Sequence, residues 1–161
     1  YFSLLRPFNE LQIAQKFASM GEAYFSLFRS CNRGQKTNSW CGQCAKCLFA
    51  YAILFPFLGE QQMTSIFGHT LFEDQSLLPI ALELTGIKRT KPFDCVGTYD
   101  ESKAAFYLSY HWYLGKQKEV PPLLESLLTE LDQQPTLQKV SEKLLSQFNQ
   151  QHHVPKTLQI Q

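Results

Sequence analysis

Cys31, Cys41, Cys44 and Cys47 are four of the chain's five cysteines, and they stand in one stretch, CNRGQKTNSWCGQCAKC. Two C-x2-C spacings share Cys44, and Cys31 lies ten residues ahead of Cys41. Four thiolates spaced in this way can converge on one tetrahedral ion at Zn–S distances of about 2.3 Å. Gly42 allows the tight turn that the first C-x2-C pair needs. Cys44 and Cys47 precede the apolar run LFAYAILFPFL. They therefore share one face at a helix start, where the helix dipole favours thiolate over thiol.

The competing chemistries fit less well. A disulfide framework needs paired cysteines and an oxidising compartment, whereas the count is odd and no export leader is read here. An iron–sulfur cluster would place its fourth cysteine downstream, near a proline, and a redox dithiol would need only one C-x2-C pair. Zinc is the expected metal. A complete four-cysteine shell has no open coordination position, so the expected role is a structural staple. The surplus negative charge of four thiolates has candidate counter-charges in Arg29, Arg33, Lys36 and Lys46, with no carboxylate between Glu22 and Glu60.

Two basic clusters could do further work. Arg29 and Arg33 either balance the thiolates or bind an anionic group through the planar guanidinium fork. Lys88, Arg89 and Lys91 form a solvated loop or a second phosphate or carboxylate site. Cys95 follows that second cluster. It reads either as a small buried apolar residue or as a thiolate whose pKa the neighbouring cations lower. His69, His111, His152 and His153 form no ligand pattern, and the chain contains no G-x-x-x-x-G-K-[ST], H-E-x-x-H or G-x-S-x-G.

The elements that hold these groups read as mainly helical. Asn9 to Gln12 is a capping box that opens a helix running to about Ser19. Residues 24–29, YFSLFR, are either a strand or an extended lead-in to Cys31. A buried helix follows from about Ala45 to Phe55, closed by Pro56 and Gly59, and a shorter one runs over 60–67. A third covers about 75–85, with Pro79 in its first turn and Gly86 at its end. Thr98 to Glu101 is a second capping box, opening a helix that ends at Gly115 and packs through Phe106, Tyr107, Tyr110, Trp112 and Tyr113. Beyond Pro121-Pro122, leucine stripes at 123–131 and 137–148 predict two amphipathic helices folded as an αα-hairpin.

The expected organisation is thus a zinc-stapled helical part over 1–115, a hairpin over 116–150 and a flexible tail over 151–161. One or two short strands would join a sheet of an α/β nucleotide-binding domain whose N-terminal half is absent. A hydrophobic fraction of 44% is ample for a core in a chain of 161 residues. A net charge of +1 argues against nucleic acid as a partner. The longest apolar run falls short of the roughly 18 residues a membrane span needs, so the cytoplasm is the expected location. A chain that opens on Tyr1 and apolar residues reads as part of a longer protein.

FRSCNRG from Phe28, SWCGQCAKC from Ser39 and KPFDCVG from Lys91 resemble the C-terminal part of the UDP-N-acetyl-α-D-muramoyl-L-alanyl-L-glutamate epimerase family, the MurL type. SLLRPFNELQIAQKFA from Ser3 is similar to the segment preceding them, so the resemblance covers about residues 3–108. A more distant similarity is to the cysteine-rich end of 7-cyano-7-deazaguanine synthases. The nearer resemblance implies an enzyme that consumes ATP with Mg and inverts the terminal L-glutamate of a UDP-muramoyl dipeptide to D-glutamate. Adenylation of the carboxylate would acidify the α-hydrogen, so that it can leave and return. Within that reading Asp94 and Cys95 are candidates for the proton transfer, and Arg29, Arg33 and Lys91 for binding substrate or nucleotide. Family members carry proline at the position of Ala45 and commonly glutamate at Asp94. The alternatives are another nucleotide-activating enzyme of the deazaguanine or tRNA-modifying kind, or a zinc module without catalysis.

Overall fold

The computed structural model describes residues 2–88, 90–132 and 134–158. Six α-helices carry the chain: α1 (Glu10–Ser19), α2 (Ala45–Phe67), α3 (Leu78–Leu84), α4 (Tyr99–Gly115), α5 (Pro122–Leu131) and α6 (Gln134–Ser146). No strand occurs among the described residues. The strands expected for a shared sheet are therefore corrected to helices and turns. In the 24–29 segment the Tyr24 carbonyl accepts from Leu27 N and Phe28 N, which coils the backbone and prevents an extended strand.

The spine of the fold is α2 packed on α4. Every residue from Cys47 to Phe55 is buried, and α4 meets it with the small residues Ala104, Ala105 and Ser109, all fully buried. Pro56 does not close α2, contrary to expectation; it lies inside the helix. Proline has no N–H to give the carbonyl four residues back, which here is Ala52. Ser109 Oγ answers that carbonyl from α4 at 3.4 Å.

The break falls at Gly59, whose φ of 72° and ψ of 176° interrupt the helix. That backbone region is essentially reserved for glycine. A Cβ there would also lie 2.8 Å from the Trp112 ring. The Lys118–Glu60 ion pair joins the end of α4 to the segment just beyond the break.

Both capping boxes form, at Asn9/Gln12 and at Thr98/Glu101. The first has a tertiary role as well. Asn9 Nδ2 donates to Leu144 O at 2.6 Å, and the buried Gln12 amide donates to Leu145 O and Gln147 O at 3.4 and 3.3 Å. Helix C-termini leave carbonyls without intrahelical partners, and α1 supplies donors to those of α6.

The two last helices form, and each packs on the spine: α5 against α3 and α4, α6 across α4 and α1. One continuous apolar core runs from Leu11 to Leu137. Beyond α6, Asn149 N donates to Pro7 O at 2.8 Å and Val154 is buried. The chain past residue 150 is thus docked over part of its length.

Candidate metal centre and adjoining cleft

The cysteine loop is carried to the core by a row of rings. Phe17 meets Phe28 at 5.3 Å, Phe28 meets Trp40 at 5.3 Å, and Trp40 stacks on Phe67 at 4.4 Å. This row sets the loop against α1 and both halves of α2. Gly42 turns between Cys41 and Cys44 with φ of 69°, and a Cβ there would lie 2.9 Å from the His69 ring. Cys44 is the N-cap of α2, and Cys47 lies one turn in.

The Sγ atoms of Cys31, Cys41, Cys44 and Cys47 all lie within 4.8 Å of one another. Cys44 and Cys47 are 3.4 Å apart, and Cys41 and Cys47 are 3.6 Å apart. Tetrahedral ligands at about 2.3 Å from one ion stand about 3.8 Å from each other, so the set fits a four-coordinate metal. All four are free thiols, and Cys31, Cys44 and Cys47 are buried.

The electrostatics of the four differ. Burial works against ionisation of Cys31, but backbone N–H groups of Cys41 and Gly34 donate to its sulfur and hold its pKa down at about 6. Those bonds measure 3.4 and 3.2 Å. Burial pushes Cys44 and Cys47 up from the ordinary thiol value. A divalent cation would supply the positive charge that these sulfurs need to shed their protons.

Among the described residues, the sequence-predicted groups fall into three positions. Arg29 is turned back on the loop: Nε donates to Asn38 O at 3.2 Å and Nη1 to Phe28 O at 2.6 Å. Arg33 and Lys36 are exposed. Lys91 Nζ lies over the Tyr99 ring at 5.6 Å, and Arg89 lies outside the described residues. Cys95 is exposed, so the buried-apolar alternative for it does not apply.

Sequence reasoning did not find the cleft that Cys95 borders. It encloses about 270 Å³ between α1, α2 and the loop over 91–97, and its walls are Phe17, Phe28, Phe49 and Ile53, with Lys46 at the rim. Nor did it find Asn32 as a bridge: Lys46 Nζ donates to Asn32 Oδ1 at 3.2 Å, and Asn32 Nδ2 donates to Asp94 Oδ1 at 3.2 Å. The buried Glu101 was readable as part of a cap, but its carboxylate also accepts from Glu10 N at 2.7 Å. No local signal announces either long-range contact.

Fold and site together define a helical domain closed over a four-thiolate metal site, with an apolar cleft beside it. The family model described as the MurL C-terminal domain matches residues 27–150, and the chain belongs to that family. The match takes in α5 and α6, which the resemblance from motifs alone left out, and it begins after α1.

Among similar proteins is the UDP-N-acetyl-alpha-D-muramoyl-L-alanyl-L-glutamate epimerase of Salinispora tropica. It is 42% identical over 121 residues, covering 73% of this chain and 25% of its own length. The proteins of the same name from Micromonospora sp. and Xanthomonas oryzae pv. oryzae are 39% and 38% identical, over 67% and 65% of this chain. The chain spans about a quarter of the length of these relatives. No solved structure matches.

Proposed function

We propose that this chain is the C-terminal, zinc-stapled part of an ATP-dependent cytoplasmic epimerase that converts the terminal L-Glu of UDP-N-acetylmuramoyl-L-Ala-L-Glu to D-Glu for peptidoglycan synthesis. The observation that carries the reading is the family match over residues 27–150, with KPFDCVG placed beside an open cleft. The zinc would be held by Cys31, Cys41, Cys44 and Cys47, and a saturated thiolate shell supplies structure and no Lewis acidity toward substrate. ATP and Mg would bind mainly to sequence outside this chain.

Inversion at an α-carbon requires a proton acceptor and a donor within hydrogen-bond reach of that carbon. Asp94 and Cys95 are the titratable side chains of this chain that fit the task, one half-buried and one exposed at the cleft. Arg33 and Lys91 are suited to the substrate's phosphates or carboxylates. Arg29, whose donors brace the cysteine loop, contributes by holding Arg33's segment in place.

The test uses the full-length protein with ATP, Mg and the UDP-muramoyl dipeptide in deuterated water. Appearance of D-Glu carrying solvent deuterium at Cα supports the reading, and loss of that exchange in Cys95→Ala or Asp94→Asn assigns the proton transfer. Turnover of a deazaguanine acid in place of the dipeptide would overturn it. Full exchange in both variants would remove these two residues from the chemistry.

A further inference from the structure

Asn32 stands between the metal centre and the loop that carries Asp94 and Cys95. It follows the ligand Cys31 directly, and Lys46, its partner on one side, lies between Cys44 and Cys47 at the start of α2. The chemistry of the two neighbours fixes which way the amide faces. An ammonium can only donate and a carboxylate can only accept, so Oδ1 must meet Lys46 and Nδ2 must meet Asp94. Among the described residues Lys46 and Asp94 form no direct ion pair. The amide is therefore the link that connects them.

The loop has few other holds. Val96 N donates to Asp94 O at 2.8 Å within the loop itself. Its far end is fixed by Thr98 N and Oγ1 donating to Glu101 Oε2 at 2.6 and 2.8 Å. Its front end carries Phe93, fully exposed, and the exposed Cys95. An aspartate at position 32 would set two carboxylates against each other, and a serine would lack the separate donor and acceptor arms that the bridge uses.

We propose that Asn32 is a positioning residue that passes the order of the four-cysteine centre to the Asp94–Cys95 pair. The cysteine ligands fix the backbone of Cys31 and the first turn of α2. That fixes the two ends from which Asn32 and Lys46 reach, and the amide then sets where the Asp94 carboxylate stands. The consequence for turnover rests on the epimerase reading; the geometric claim does not.

The experiment is deuterium uptake at the backbone amides of residues 94–97 in the full-length, zinc-loaded protein, followed by mass spectrometry. Asn32→Leu removes both arms and should speed exchange there about tenfold, the effect of losing one net hydrogen bond, while uptake in α4 and zinc content stay unchanged. Asn32→Asp should do the same through repulsion. Adding Asp94→Asn to Asn32→Asp restores a donor facing an acceptor with the direction reversed, at the original net charge, and slow exchange should return.

Wild-type uptake in Asn32→Leu, or a double variant that exchanges as fast as Asn32→Asp alone, would overturn the proposal. Should Asn32→Leu lose its zinc or fail to fold, the near-isosteric pair of Asn32→Asp with and without Asp94→Asn decides the question. In the enzyme, Asn32→Leu should lower kcat and leave KM for the dipeptide within about twofold, since the reacting groups are displaced and substrate binding is not. Absence of epimerase activity in the wild type would defeat the functional reading and leave the uptake comparison intact.

Discussion

Cys44 Sγ stands 3.4 Å from Cys47 Sγ across the first turn of α2, closer than two sulfurs bound to one zinc would be. The helix start that creates this pair also buries it, and a buried pair of thiols has no use for such proximity without a cation. Removing one member should therefore be felt through the whole fold. A structural zinc contributes on the order of 10 kcal/mol to small metal domains. Cys44→Ser is expected to give insoluble or unfolded protein, seen as loss of the cooperative melting transition. A soluble variant that melts with the wild type would contradict this.

Gly42 is the hinge of the same loop. Its left-handed backbone costs an L-residue about 1–2 kcal/mol, before any contact with His69. Gly42→Ala should lower stability by at least that amount and speed zinc transfer to a chromogenic chelator. Release at the wild-type rate would mean that the loop accommodates the methyl group.

The two arginines beside the centre should separate cleanly. Arg29→Ala removes two bonds to backbone carbonyls and should cost about 1–2 kcal/mol of stability. Arg33→Ala should leave the melting temperature unchanged and weaken binding of the anionic substrate in the full-length enzyme. Calorimetry on both variants checks the pair; a drop in stability for Arg33→Ala with unchanged affinity would make it a counter-charge for the thiolates.

Glu10 gives a pH-dependent outcome. Burial, and second the nearby Glu101 carboxylate, hold its pKa above the ordinary carboxylate value. A carboxyl raised on folding contributes its stability in full below its unfolded pKa and loses it as pH rises through the folded value. At pH 7 the ionised Glu10 is therefore a burden. Its side chain is exposed by area, so solvent weakens the effect. Glu10→Gln should melt about 1–2 °C above wild type at pH 7, with the gap closing near pH 4. An equal gap at both values would assign the change to something other than this charge.

What could be read from the sequence follows the range of each interaction. The capping boxes at Asn9 and Thr98 close within a few residues, and both formed as the spacing predicts. The four cysteines converge for the same reason, since a short loop and one helical turn bring them together. Pro56 misled because its cost depends on whether anything answers the Ala52 carbonyl, and the answer comes from Ser109 on another helix. The strand expected in YFSLFR had no periodicity to settle it, and a turn took its place. Asn9 bonding Leu144, and Asn32 bonding Asp94, are tertiary facts that no local pattern encodes. The cleft itself is made by three segments distant in sequence.

The account rests on the four-cysteine centre, and elemental analysis of the purified protein tests it most directly. About one equivalent of zinc per chain is expected, with no visible absorbance, and its removal by a chelator should abolish the helical circular dichroism. About one equivalent of iron with a visible chromophore, or a folded protein that carries no metal, would contradict it.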